Sequence, residues 1–204
     1  MHPAIATLAN VARLLEAPSA GLASRLTESR ASLREGNRGI ARNLQQLIPA
    51  GSRIITLSNS STVREALFVL APAAVYVTQS LPGGEGEAQA RELRMGLRGR
   101  NAAADVEVVP DSTLANVVPL VDCALVGIDS YDRGGAILHK VGTLPLALCC
   151  RQFGKRFYAA GHSLKLSERE VHGRPDPGLS PGEQLFDCTP RDLITAIVTE
   201  NAAA

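Results

Sequence analysis

A surplus of one sign of charge is the first thing this sequence lacks. Lysine and arginine number 21 against 20 acidic residues, leaving a formal net charge of +1 and a pI of about 7.7. So balanced a chain has no overall pull toward nucleic acid or an anionic membrane surface, and any polyanion must be met locally. No direct nucleic-acid partner is expected. Long apolar runs are missing too: none approaches the roughly 20 residues a membrane span needs. The opening "MHPAIATLANVARLLEAPSAG" lacks the basic stretch and unbroken apolar core of a secretory signal. Cysteine is scarce. Cys123, Cys149, Cys150 and Cys188 follow no CxxC or other metal-ligand spacing and sit in apolar runs. That predicts reduced, packed thiols and a cytoplasmic setting rather than a disulfide framework. His139 and His162 stand apart from cysteine or other histidines, so no metal is expected. There is no GxSxG elbow, no Walker lysine, no GxGxxG and no fixed-period repeat. No cofactor is implied.

What is present is core-forming material. Of 204 residues, 45% are hydrophobic and 20% charged, the composition of one or at most two globular domains. From Ile5 to Leu15 and from Leu22 to Ile48 apolar residues recur at helical spacing. Residues 1–50 therefore read as a helical segment. After Gly51 the period changes. Arg53–Ser58, Val75–Ser80, Asp105–Pro110, Cys123–Asp129 and Arg156–Gly161 are short and rich in β-formers, and each reads as a buried strand. Helical patterns separate them at Thr62–Leu70, Glu85–Leu97, Ser112–Val118 and Gly135–Phe153. Such alternation predicts an α/β fold over residues 51–204, a doubly wound and mostly parallel sheet with helices on both faces. Ser167–Gln184, polar and rich in Pro and Gly, reads as a long surface loop. "TPRDLITAIVTE" reads as a last helix, with Thr189 as cap, Pro190 at the first position and Leu193, Ile194, Ile197 and Val198 in one stripe.

In an open parallel sheet ligands bind beyond the carboxyl ends of the strands. Three turns qualify. In "TLSNSSTVREAL", Ser58, Asn59, Ser60, Ser61 and Thr62 offer hydroxyls and amides suited to a phosphate, while Thr62 and Glu65 hold capping-box spacing, which also serves an ordinary capped turn. In "TQSLPGGEGEAQ", Gln79 precedes glycines that permit close backbone approach, or merely a solvated turn. In "VGIDSYDRGGAILHKVGT", Asp129 ends the most apolar strand, Gly134 and Gly135 open the next segment, and Lys140 follows with Gly142 and Thr143. A carboxylate at an apolar sheet end suits proton transfer, although Asp129 could equally cap a turn and Lys140 face solvent.

The stretches "LVGIDSYDRGGAILHKVGTLPLAL", "GKRFYAAGHSLKL" and "FDCTPRDLITAIVTE" resemble the C-terminal domain shared by the alpha, beta and delta subunits of eukaryotic initiation factor 2B. The same domain occurs in methylthioribose-1-phosphate isomerase and ribose-1,5-bisphosphate isomerase. The resemblance runs from about Arg38 to Glu200. It implies a Rossmann-like domain of the NagB/RpiA/CoA-transferase type that binds a phosphorylated sugar or nucleotide at the sheet's carboxyl edge, and a homodimer or higher oligomer. In the isomerases a cysteine and an aspartate share the acid–base work. The aspartate position is Asp129; the cysteine position falls at Ser60, whose hydroxyl cannot act as acid or base without an added partner. The family's "E-S/T-R-P" reads "QSLP", so Gln79 and Leu81 replace an acid and a phosphate-binding arginine, and "N-K-I-G-T" reads "HKVGT", with His139 for asparagine and Lys140 kept. The helical segment is shorter than in the isomerases. These departures favour a binding or regulatory protein without isomerase activity. The alternative is a divergent aldose–ketose isomerase using Asp129.

Overall fold

The computed structural model describes residues 22–100, 104–172 and 177–203; the Ile5–Leu15 helix expected above lies outside them. Helix α1 (Leu22–Gln45) buries the stripe Gly36, Ile40, Leu44 with Ile48 just beyond, the i, i+4 repeat of a one-faced helix. The sheet follows: β1 (Arg53–Thr56), α2 (Ser61–Leu70), β2 (Ala74–Thr78), α3 (Glu85–Arg98), β3 (Asp105–Val109), a short α4 (Leu114–Val117), then β4 (Cys123–Gly127). After a small hairpin come α5 (Thr143–Gln152) and β7 (Arg156–Ala160). Among the described residues no helix is long and apolar enough to cross a membrane.

With β9 (Ala196–Val198) at one edge, six strands lie in the order β3-β2-β1-β4-β7-β9, every neighbouring pair parallel. The chain winds outward in one direction from β1 and in the other from β4, so the topological switch point lies between these two strands. All five residues of β4 are buried, as expected of a central strand covered on both faces. One core layer joins Ile40, Leu44, Leu67 and Leu93 from α1, α2 and α3 to Val75, Leu125 and Tyr158. The other joins Val117, Leu146 and Cys150 to Ile55, Val126 and Phe157. Burial pushes the Cys123 and Cys150 thiols up to about 12, which keeps them unreactive packing groups.

Two expected helices take other forms. Gly135–Phe153 does not form one helix: Ile137–Lys140 is strand β6, and only Thr143–Gln152 is helical. Strand β6 is paired antiparallel on both sides, with β5 (Ser130–Tyr131) and with β8 (Phe186–Thr189). Gly142 in a left-handed conformation separates strand from helix, and the Asp187 carboxylate on β8 accepts the Gly142 N–H at 2.8 Å and the Leu144 N–H at 3.1 Å. The cap of α5 thus comes from a residue more than forty positions away, beyond the reach of local periodicity. "TPRDLITAIVTE" is not helical either. Arg191–Leu193 makes a single 3-10 turn, and Ala196–Val198 is β9, the edge strand parallel to β7. Without it β7 would present an unpaired row of backbone groups. Thr195 helps seat it, its N–H on Phe157 O at 2.8 Å and its hydroxyl accepting the Phe157 N–H at 2.9 Å. The stripe that looked helical is two-sided: Ala196 and Val198 face one core layer, Ile197 the other.

The turn after β2 is packed backbone on backbone. Gly86 N–H donates to Gln79 O, and a Cβ on Gly86 would stand 1.8 Å from Thr78 O. Gly86→Ala must therefore push α3 off the end of β2. A loss of about 2 kcal/mol or more is expected, read as an earlier midpoint in urea denaturation.

Candidate functional site

The carboxyl ends of β1 and β4 face each other across the switch point, and the turns leaving them are held by specific bonds. After β1 the chain passes through Ser58 at φ 64, whose N–H donates to Ser80 Oγ at 2.7 Å. Ser80 is itself pinned after β2: its N–H and that of Leu81 donate to the two carboxylate oxygens of Asp111 at 2.8 and 2.9 Å. Ser60 is the N-cap of α2, extended in backbone and accepting the Val63 N–H at 3.3 Å. The helix therefore starts before Thr62, which is buried inside its first turn, and the expected Thr62–Glu65 capping box does not form.

At the end of β4 the absence of a side chain matters. A Cβ on Gly127 would stand 2.8 Å from Ser60 Oγ and 2.9 Å from His139 Nε2, so both groups pack closely against the glycine. His139 lies on β6, which crosses above the sheet edge, and it is 4% exposed. Its Nδ1 lies 3.0 Å from Thr143 Oγ1, and that hydroxyl donates to Lys140 O at 2.6 Å. With its proton spent there, Thr143 can only accept from the ring, so Nδ1 carries the imidazole proton and Nε2 is bare. Burial lowers the His139 pKa to about 4, against the opposing pull of Asp129.

Asp129, two residues past β4 and half-buried, is anchored through its N–H to Leu138 O at 2.9 Å. Its charge acts on both His139 and Lys165. Lys165, in the turn after β7, donates to Ile128 O, and burial lowers its pKa while Asp129 raises it. The turn carrying Lys165 is held by Glu200, which accepts from Ser163 N–H at 2.9 Å and Ser163 Oγ at 2.5 Å. Sequence reading passed over Lys165 although a signal was there: it follows the carboxyl end of a parallel strand, where the other candidates were sought.

The remaining candidates are placed differently. Lys140 is buried, but beside His139 on one strand it projects the other way: its ammonium donates to Pro82 O and pairs with Glu85 Oε1 at 3.0 Å. Glu85, not considered from sequence, leaves its Oε2 buried without a partner. Asn59 is exposed and accepts from Arg64 Nη1 at 2.8 Å. Ser61 is exposed, and Gln79 is half-buried with its N–H on Val109 O. Gly134 and Gly135 do not open a helix. They make the tight turn between β5 and β6, where Gly135 N–H donates to Asp132 O, and Gly134 borders a cleft of about 370 Å³ with Asp132, Ser167 and Arg191. A second cleft, about 410 Å³, lies at the opposite, amino edge of the sheet between Ile48, Ser52, Asp122 and Tyr158. Among the described residues no group of three or more His, Cys, Asp or Glu is placed to hold a metal ion.

Comparison with known proteins bears on this arrangement. The model of the Initiation factor 2 subunit family matches residues 13–177. The chain belongs to that family. It is 31% identical to a translation initiation factor eIF-2B subunit 2-like protein of Pyrococcus abyssi, over 98% of this chain and 75% of that one. It is 28% identical to methylthioribose-1-phosphate isomerase of Exiguobacterium sibiricum, over 80% of this chain. The match takes in 56% of the isomerase's length, so the chain spans little more than half of that relative. The crystal structure of a Pyrococcus horikoshii translation initiation factor eIF-2B superposes with a TM-score of 0.83 at 30% identity, covering 99% of this chain and 76% of the other. The family thus includes both factor-like and isomerase members at similar distance from this sequence.

The environment of His139 sets a pH dependence. An unfolded imidazole binds a proton near 6.5, the folded one only near 4. Protons in that interval go to the unfolded chain first, so the stabilisation is whole above 6.5 and lost as pH falls toward 4, by on the order of 3 kcal/mol. Urea denaturation at pH 7 and pH 4.5 should show His139→Gln losing less stability over this interval than the wild type.

Proposed function

We propose that this chain is a binding or regulatory protein of the initiation factor 2B type, holding a phosphorylated sugar or nucleotide at the carboxyl edge of its sheet. Helix α1 (Leu22–Gln45) precedes a ligand-holding unit of residues 51–204, and the protein works as a homodimer or larger oligomer. The observation that supports this most is the convergence at the switch point. Ser60, Asp129, His139 and Lys165 come from four separate turns or strands and surround one end of β4, the position where open α/β sheets bind ligands. Binding of the phosphate would draw on the free N–H groups opening α2, around Ser61 and Thr62, and on Lys165. Lys140 contributes only if Glu85 yields its place.

Family aldose–ketose chemistry is not expected, because Ser60 stands at the cysteine position and a hydroxyl is too weak an acid or base for that step on its own. A thermal-shift series with ribose 5-phosphate, methylthioribose 1-phosphate and AMP tests the reading. At a hundredfold excess over the dissociation constant a specific ligand adds about 2.7 kcal/mol, a rise of roughly 5–10 °C for a chain of this size; no rise with any of them rejects it. A ketose-formation assay should show no turnover in the wild type. Turnover that disappears in Asp129→Asn would replace this reading with an isomerase in which Asp129 carries the proton.

Glu85 already neutralises Lys140, and a phosphate must compete with it. Glu85→Gln, by leaving the ammonium uncompensated, should tighten ribose 5-phosphate binding by about 3- to 10-fold in isothermal titration. Unchanged affinity would place Lys140 outside the anion site.

A further inference from the structure

The cleft of about 410 Å³ at the amino edge of the sheet lies at the opposite end of the strands from the phosphate site proposed above. Its apolar lip is the turn between α1 and β1, with Leu47, Ile48 and Pro49, and its polar floor is the start of β4 and β7, with Asp122, Arg156 and Tyr158. Strand register gathers that floor. Cys123 and Arg156 are partners across the β4–β7 ladder, which sets Asp122, one residue earlier, at the same strand end as Arg156. Tyr158, two residues beyond Arg156, shares its face of the sheet. Burial is the main cause of the raised Cys123 pKa, and the charges of Asp122 and Arg156 act on that thiol in opposite directions. An anion and a cation thus flank one floor.

These groups keep hydrogen-bonding capacity in hand. Arg156 enters no ion pair among the described residues, and its Nη1 donates to Tyr158 Oη at 3.5 Å. Tyr158, 2% exposed, donates to Leu47 O at 3.4 Å. Both distances lie at the long limit of hydrogen bonding, so a guanidinium and a nearly buried hydroxyl stand side by side without a strong acceptor. Asp122 Oδ2 accepts the Arg53 N–H at 2.7 Å, and its Oδ1 accepts from no described group. A simple anion on Arg156 would face the Asp122 carboxylate, and a simple cation on Asp122 would face the guanidinium. A molecule carrying both charges within a short span satisfies each. The carboxyl end of α1 at Gln45 adds the negative end of a helix dipole on the lip side, which favours an ammonium.

We propose that the amino-edge cleft binds a small apolar amino acid, its carboxylate taken by Arg156 and the Tyr158 hydroxyl, its ammonium by Asp122, and its side chain by Leu47, Ile48 and Pro49. This site is separate from the phosphate site and stands or falls without it. Its role is binding rather than turnover, because the one nucleophile on its floor, the Cys123 thiol, is 3% exposed and held unreactive. Strands β4 and β7 begin at this cleft and end at the carboxyl edge, so the amino acid would occupy an effector position on the same two strands.

The test is carbon-13 methyl NMR of the full chain labelled at isoleucine, with Ile48→Val identifying the Ile48 signal. Titration with L-leucine should move that signal saturably. Isocaproate, which lacks the ammonium, and isoamylamine, which lacks the carboxylate, should bind at least about tenfold more weakly. Arg156→Gln and Asp122→Asn should each weaken L-leucine binding by a similar factor; the second keeps an oxygen for the Arg53 N–H, so the strand end is preserved. No saturable movement with L-leucine, L-valine or L-phenylalanine up to roughly 10 mM, where a millimolar site would be mostly filled, would overturn the proposal. So would equal binding of isocaproate or isoamylamine, full affinity in either folded variant, or displacement of L-leucine by ribose 5-phosphate. The comparison of L-leucine with its two analogues on the wild type decides the matter even if a variant fails to fold.

Discussion

The candidate site depends on the missing side chain at the carboxyl end of β4. Parallel pairing puts β1 and β4 side by side, and the turns that leave them must diverge within a few residues because the chain winds away on both sides. Any side chain at Gly127 would hold Ser60 and the crossing strand β6 apart. With only hydrogen there, the N-cap of α2 and the buried imidazole of His139 close on one another to within the width of a small group. The arrangement is fixed from beneath by a fully buried strand and from above by a strand paired on both edges. The contact at Gly127 is made by two side chains, Ser60 and His139, carried on backbone held from both sides.

Charge is handled around this space by local compensation. Lys140 finds Glu85 and the Pro82 carbonyl, Lys165 finds the Ile128 carbonyl and the field of Asp129, and Asp187 finds the first amides of α5. Burial still pushes the Asp187 carboxyl up to about 6, its capping bonds opposing the shift. A buried ion left without such a partner would cost several kcal/mol. Because the nearby cations are engaged by partners within the chain, an anionic ligand competes with intramolecular groups for them. Affinity at such an edge is set by what the ligand displaces as much as by what it touches.

Membership of a family that contains both factor subunits and sugar-phosphate isomerases does not by itself choose between binding and catalysis. Ser60 on the turn after β1 and His139 on β6 lie on different elements, yet both pack closely against Gly127. Leu81, in the turn after β2, is exposed and brings no charge to the edge.

Local patterns in the sequence were sufficient for whatever depends on neighbours in the chain. Buried strands such as Cys123–Gly127 announce themselves as uninterrupted apolar runs, and α1, α2 and α3 as one-faced repeats, so the parallel α/β architecture could be read directly. The same information placed Ser60 and Asp129 at strand ends. It failed where distant residues supply the partners. Ile137–Lys140 became a strand because β5 and β8 satisfy its backbone, and Ala196–Val198 became one because β7 needed an edge partner; neither demand is visible within a window of a few residues. Lys140 and Lys165 differ for the same reason. Both are lysines near strand ends, and only the three-dimensional fold decided that the first is tied to Glu85 while the second sits in the field of Asp129. Secondary structure follows short-range periodicity, whereas hydrogen-bond partners and the surroundings of charged groups are set by chain crossings dozens of residues apart.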